Sequence, residues 1–166
     1  LFCGVCMPES EYLLRPATQA DIPFLVFGRH AMFEEMFTLE NRPFDPAELP
    51  LMDAIFQQTL LAKLGSEDLP AWVIETQGKP VACALVFVIH SLPAPARLDM
   101  RMPNLQNVYV LPEHRHHGLA RKLVEAAIDW CREQGYRSMT LNASNAGRSL
   151  YESMGFKPGN QMSLRL

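Results

Sequence analysis

Between Asn107 and Val124 the chain reads N-V-Y-V-L-P-E-H-R-H-H-G-L-A-R-K-L-V, and few backbones satisfy that order. Val108-Tyr109-Val110 is a β-branched and aromatic run that specifies a strand. Pro112 cannot donate to a sheet ladder and ends it. A short polar turn, Glu113 to His117, leads into a helix that starts at Gly118. The first turn of a helix has unpaired N–H groups at the positive end of the macrodipole. A strand, a glycine turn and a helix start therefore make a phosphate cradle. Gly118 lets a ligand approach the backbone, Ala120 has little side chain to obstruct it, and Arg115 brings a fork of cationic donors.

Composition narrows the reading. The 166 residues suffice for one domain with a sizeable core. Residues 1–10 are read as an N-terminal extension that need not be ordered, and 11–166 as the single domain. A net charge of −3 argues against a nucleic-acid binder. No apolar run is long enough to cross a bilayer, and Leu1–Met7 has no charged region of the signal-peptide type. The expectation is a cytoplasmic protein that engages neither membrane nor nucleic acid. Cys83 and Cys131 sit in apolar patterns and read as core. Cys3 and Cys6 have metal-like spacing but no second ligand pair follows, so no metal is expected.

In chain order, a strand is expected at Tyr12–Pro16. A helix follows, capped by Asp21 with Pro23 in its first turn, along which Ile22, Leu25, Arg29, Met32 and Met36 recur at helical spacing. Asp45-Pro46-Ala47-Glu48 starts a second helix, which Gly65 ends. Trp72–Thr76 and Val81–Ile89 form a hairpin, the second arm apolar throughout and hence central. His90–Pro103, with three prolines, reads as a loop before the strand at Asn107–Leu111. The helix after Gly118 buries Leu119, Leu123, Ala126, Ala127 and Trp130 and exposes its charges. A short strand at Ser138–Leu141, a helix capped by Asn145, and a last strand at Met162–Leu166 complete the pattern. That last strand offers an edge on which a homodimer could form. The fold class is α/β, with a mixed sheet covered by helices on both faces.

Two segments carry a family resemblance. Val108 to Ala120 resembles motif A of the GCN5-related N-acetyltransferases, Q/R-x-x-G-x-G/A after a strand, with Arg115, Gly118 and Ala120 in its three fixed places. Asn145 to Phe156 resembles motif B of the same family, with Tyr151 and a closing Gly155-Phe156. The motifs come in family order.

The resemblance implies acetyl-CoA as co-substrate and a primary amine as acceptor. It implies that main-chain N–H groups of His116, His117, Gly118, Leu119, Ala120 and Arg121 hold the pyrophosphate, with the Arg115 side chain nearby. Tyr109 and Val110 would pair with the pantetheine arm, the Val110 N–H polarising the thioester carbonyl. Tyr151 would be the general acid, and Asn145 would touch the pantetheine. His116 and His117 stand where basic residues are frequent in the family, so the cradle should lean on its main chain.

Each residue has a plainer reading. Tyr151 could simply pack its ring, Asn145 could only cap its helix, and Arg148 could be a surface charge. Glu34 and Glu35 read first as a solvated helix face, and second as residues that bind or deprotonate the amine; Asp99 is a further candidate. No cysteine lies beside the motifs, which favours direct attack in a ternary complex. The rival class is a non-catalytic acyl-CoA sensor module with the same fold.

Overall fold

The computed structural model describes residues 12–41, 43–95 and 98–164. The order is β1 (Leu13–Pro16), α1 (Ile22–Leu39), α2 (Glu48–Lys63), β2 (Ala71–Thr76), β3 (Lys79–His90), β4 (Arg101–Val110), α3 (Leu119–Glu133), β5 (Thr140–Leu141) and α4 (Arg148–Ser153). The strands lie in that order in one sheet. Neighbours from β1 to β4 pair antiparallel, and β5 joins β4 in parallel.

Alternation along the strands builds two cores. Trp72, Ile74, Ala82, Ala84, Val86 and Val88 face α3 and meet its Leu119, Leu123, Val124 and Ala127. Ala71, Val73, Cys83 and Leu85 face the other way, onto Ile22 and Leu25 of α1 and Leu60 of α2. The central strand β3 is apolar on both faces because each face carries a helix. Each large aliphatic side chain fully buried here contributes about 1.5–3 kcal/mol.

One irregularity decides what β4 presents. Cys83 faces Tyr109 but Leu85 faces Gln106, so β4 has one residue more than β3 over this span. The bulge falls at Asn107, whose φ is 57° and whose Nδ2 donates to Leu25 O at 3.1 Å. An extra residue inverts the alternation beyond it. Leu105 accordingly packs on the α3 side, and Tyr109, four positions on, packs on the α1 side.

Three sequence expectations are corrected. Pro103 lies inside β4, opposite Val88, and the loop before it is correspondingly shorter. Val88 N–H donates to Asp68 O on the β2 side. The Val88–Pro103 pair is therefore not hydrogen-bonded, and the missing proline donor points away from β3. Asp21 does not cap α1 with its side chain; it accepts Arg15 Nη1 at 2.8 Å and Thr18 N–H at 2.8 Å instead. No strand forms over 162–164, where Met162 and Leu164 are exposed, and 165–166 lie outside the described residues. The homodimer edge expected there therefore lacks its described part. The N-terminal extension 1–10, with Cys3 and Cys6, also lies outside them. Among the described residues no helix is long and apolar enough to cross a membrane.

Candidate active site

β5 pairs with β4 only at Asn104–Thr140 and Leu105–Leu141. Beyond that point the two parallel strands part, and the rest of β4 has an unpaired edge. Leu111 N–H donates to Val81 O at 2.9 Å, so it points at β3. In an antiparallel ladder the adjacent residue points its groups the opposite way. Val110 therefore directs its N–H and C=O into the gap beside β4. Its carbonyl is taken there by Arg115 Nε at 3.1 Å.

The gap opens into a cleft of about 770 Å³, floored by Val108, Tyr109 and Val110. The loop from His114 to Arg121 forms one wall, α4 and the turn before it another, and the second half of α1 a third. Of the residues singled out in the sequence, Tyr109, Val110, Arg115, His116, Gly118, Leu119, Ala120, Arg121, Asn145, Tyr151 and Glu35 line this one cleft.

The loop is built from donors. His116 has φ 65° and Gly118 φ 73°, two left-handed residues that turn the chain from strand to helix. Among the described residues no N–H from His116 to Arg121 has an acceptor; the first bond of α3 is Lys122 N–H to Gly118 O at 3.1 Å. Such a run of free N–H groups at a helix start suits an anion. His117 lies off the cleft wall, its Nδ1 bonded to Arg115 O at 2.9 Å. His114 is held by the Tyr12 hydroxyl at 3.0 Å. Among the described residues no three His, Cys, Asp or Glu side chains are grouped to hold a metal ion.

Arg115 lines the cleft and is already bonded to protein groups. Its Nη2 donates to Glu35 Oε1 at 2.9 Å and Oε2 at 2.8 Å, and its Nε to Val110 O. Nε and Nη2 are thus shared between the strand and α1. Glu35 also accepts the Tyr109 hydroxyl at 3.4 Å. Burial, with Glu35 adding to it, pushes the Tyr109 hydroxyl above its ordinary pKa. Glu34, one residue away, is exposed outside the cleft, where its carbonyl accepts Thr38 Oγ1. Asp99 precedes β4 and lines a separate cavity with Arg101 and Tyr136, about 30 Å along the strand from Val110.

Across the gap stands Tyr151, half-buried and edge-on to Phe156 at 5.8 Å. Burial alone raises its pKa, and among the described residues nothing bonds its hydroxyl. A Cβ on Gly147 would meet Tyr151 Cε2 at 3.0 Å, so that glycine makes room for the ring. Asn145 does not cap α4. Its N-cap position is Gly147, with no side-chain cap bond, and the helix begins at Arg148, two residues later than a cap at Asn145 implies; ahead of it Ser144 Oγ takes Gly147 N–H at 3.2 Å. The Asn145 main-chain N–H goes to Glu40 Oε1 at 3.2 Å, which ties α1 to the turn before α4. Arg121 bonds Ser153 Oγ at 2.7 Å rather than pairing within α3. Ser144, Gly147 and Glu40 also line the cleft and were not singled out as site residues in the sequence.

Residues 33–156 match the acetyltransferase (GNAT) family, and the chain belongs to that family. Human N-acetyltransferase 8 is 33% identical over 95 residues, covering 54% of this chain and 39% of that protein. Probable N-acetyltransferase camello of Xenopus tropicalis is 26% identical over 159 residues, 94% of this chain and 65% of that one. The chain thus spans less than two thirds of either relative. In structure it is similar to a GCN5-related N-acetyltransferase from Ralstonia eutropha JMP134, with TM-score 0.83 and 29% identity over 94% of this chain and 99% of that one. A "predicted acetyltransferase" of Clostridium acetobutylicum, solved with acetyl-CoA, has the same fold, with TM-score 0.80 and 23% identity over 94% and 96% of the two chains.

Proposed function

We propose that the protein transfers an acetyl group from acetyl-CoA to a primary amine, by direct attack in a ternary complex. The observation that carries this reading is the direction of the Val110 N–H, which points into the gap between β4 and β5, in the cleft that Tyr151 also lines. Acetyl-CoA supplies the activated acetyl thioester. The N–H groups of His116 to Arg121 bind its pyrophosphate, a role supported by their lack of other acceptors. Val110 pairs through its main chain with the pantetheine arm along the open edge of β4; by the same alternation the main chain of Tyr109 faces Cys83 of β3, and Tyr109 lines the cleft beside the arm. The Val110 N–H stabilises the negative charge that gathers on the carbonyl oxygen when the amine attacks.

Tyr151 donates its proton to the departing thiolate as the C–S bond breaks, and the proton that the amine nitrogen loses passes to solvent, from which the phenolate is reprotonated. Its raised pKa keeps the hydroxyl protonated at neutral pH, so the proton is present when the thiolate forms. Glu35 is assigned to holding Arg115 rather than to deprotonating the amine, because both its oxygens already accept from that guanidinium. Cys83 and Cys131 are buried, their thiols pushed up to about 12 and about 11, and neither lines the cleft. That supports direct transfer over an acyl-cysteine step.

The test is thermal stabilisation by acetyl-CoA followed by thiol release with a panel of amines. Stabilisation with turnover is expected. Stabilisation with no turnover for any amine would favour a sensor module instead, and no stabilisation would reject both.

A further inference from the structure

On its α1 side the sheet is apolar where β2 and β3 build it and turns polar on β4. Arg29 Nη1 donates to Gln106 Oε1 at 3.3 Å, Gln106 Nε2 to Asn104 Oδ1 at 2.9 Å, and Asn104 Nδ2 to Thr140 Oγ1 at 2.9 Å. The row runs from under α1 to the exposed strand β5, where the sheet opens. At its head the Arg29 guanidinium lies over two rings, Phe33 at 5.1 Å and Phe56 at 4.9 Å.

What sets this arginine apart is burial without a counter-ion. Arg15, Arg101, Arg115 and Arg132 each pair with a carboxylate. Arg29 pairs with none among the described residues, and burial lowers its pKa. A desolvated cation without an anion is unfavourable, and stacking between rings compensates only in part. Only one of its five N–H donors is engaged. A planar fork with free donors and aromatic walls is shaped for one carboxylate. It does not line the cleft itself but stands one helical turn from Met32, which does. Its partner Gln106 is four residues from Val110, about 13 Å along the strand.

We propose that Arg29 binds a carboxylate of the acceptor, so that the substrate class is an amine carrying a carboxylate several bonds from its nitrogen. This subsite rests on the acetyl-transfer reading for its purpose but not for its chemistry. A purely structural Arg29, gluing α1 to α2 through its two rings, needs no free fork and predicts no carboxylate selectivity.

The test compares glycine, 4-aminobutanoate and 6-aminohexanoate with their primary amides, by calorimetric binding and by turnover with acetyl-CoA. Wild type should favour at least one carboxylate over its amide by about 10- to 100-fold, the range for hydrogen bonds to a charged group. Arg29→Met should erase that ratio while stabilisation by acetyl-CoA stays unchanged, and Arg29→Lys should keep part of it. Equal handling of carboxylate and amide by wild type at every length overturns the proposal, whether or not the variants fold. A ratio that survives in Arg29→Met overturns it too. Carboxylate binding that depends on Arg29 without acetyl transfer upholds the subsite and rejects the transfer reading. Transfer indifferent to the carboxylate does the reverse.

Discussion

Arg115 and Glu35 meet through both carboxylate oxygens, at 2.9 and 2.8 Å, and so join the loop after β4 to the middle of α1. The same arginine holds Val110 O, so one guanidinium sets the spacing of helix, loop and strand edge. Each partner's side chain is 38% exposed, which limits the pair's contribution to stability. Its larger effect is on position. In a double-mutant cycle of Arg115→Ala and Glu35→Ala, the coupling in unfolding free energy should be about 0.5–1 kcal/mol. Either single variant should weaken acetyl-CoA binding more than that coupling suggests, because the loop loses its anchor. Calorimetric affinities unchanged in both variants would count against the anchoring role.

Tyr151→Phe keeps the ring against Phe156 and removes only the proton. The expected result is a fall in kcat of about 10²-fold or more, within the range for a positioned general acid. Affinity for acetyl-CoA should hold within about twofold, since the ring packing survives. In wild type the Tyr151 limb of the pH–rate profile should lie above pH 10, because burial disfavours the phenolate. An unaltered kcat in the phenylalanine variant would falsify the acid assignment.

Gly118 turns at φ 73°, and nothing lies within 4 Å of where its Cβ would stand. The penalty of a side chain there is therefore conformational rather than steric. Gly118→Ala should lose about 1–2 kcal/mol in denaturant unfolding, and Gly118→Asn less, since Asn tolerates left-handed backbone. Equal losses from the two substitutions would point to crowding by a ligand or neighbour instead.

Asn107 makes the bulge and fills it, 2% exposed with Nδ2 on Leu25 O. Asn107→Ala keeps a side chain at positive φ and leaves that carbonyl without its partner; about 2–3 kcal/mol of stability should go. Asn107→Gly relieves the backbone and should be the milder change. Acetyl-CoA affinity that tracks stability across this pair would tie the bulge to the binding edge of β4.

Cys83 gives a pH signature. Its thiol moves from 9.0 to about 12 in the fold because burial disfavours the thiolate. The unfolded chain therefore releases this proton at lower pH than the native one. Stability from this group is complete below pH 9 and falls as pH rises towards 12, by on the order of 3–4 kcal/mol. Urea unfolding between pH 8 and 11 should show that decline in wild type and a shallower one in Cys83→Ala. A Cβ on Gly28 would meet Cys83 Sγ at 3.0 Å, so Gly28→Ala should be less damaging in the Cys83→Ala background.

Local chemistry was enough for the elements and the cradle. Val108-Tyr109-Val110 ahead of Pro112, and Gly118 ahead of an amphipathic helix, specify strand, turn and helix by rules acting within a few residues. The apolar run of β3 announced a strand covered on both faces. Pro103 misled because whether a proline is tolerated depends on which way its nitrogen faces, and only the pairing with Val88 decides that. Asn145 misled because α4 starts only at Arg148, with Gly147 rather than Asn145 in the cap position. Tertiary structure alone decided that Arg115 would spend its donors on Glu35, 80 residues away, and that Tyr109 would face α1. The first needs α1 laid across β4, the second an extra residue that inverts the strand's alternation. Neither leaves a periodic trace in the chain. The burial of Arg29 without a counter-ion belongs here too: a sequence shows a charge on a helix face, and only packing shows which acids fail to reach it.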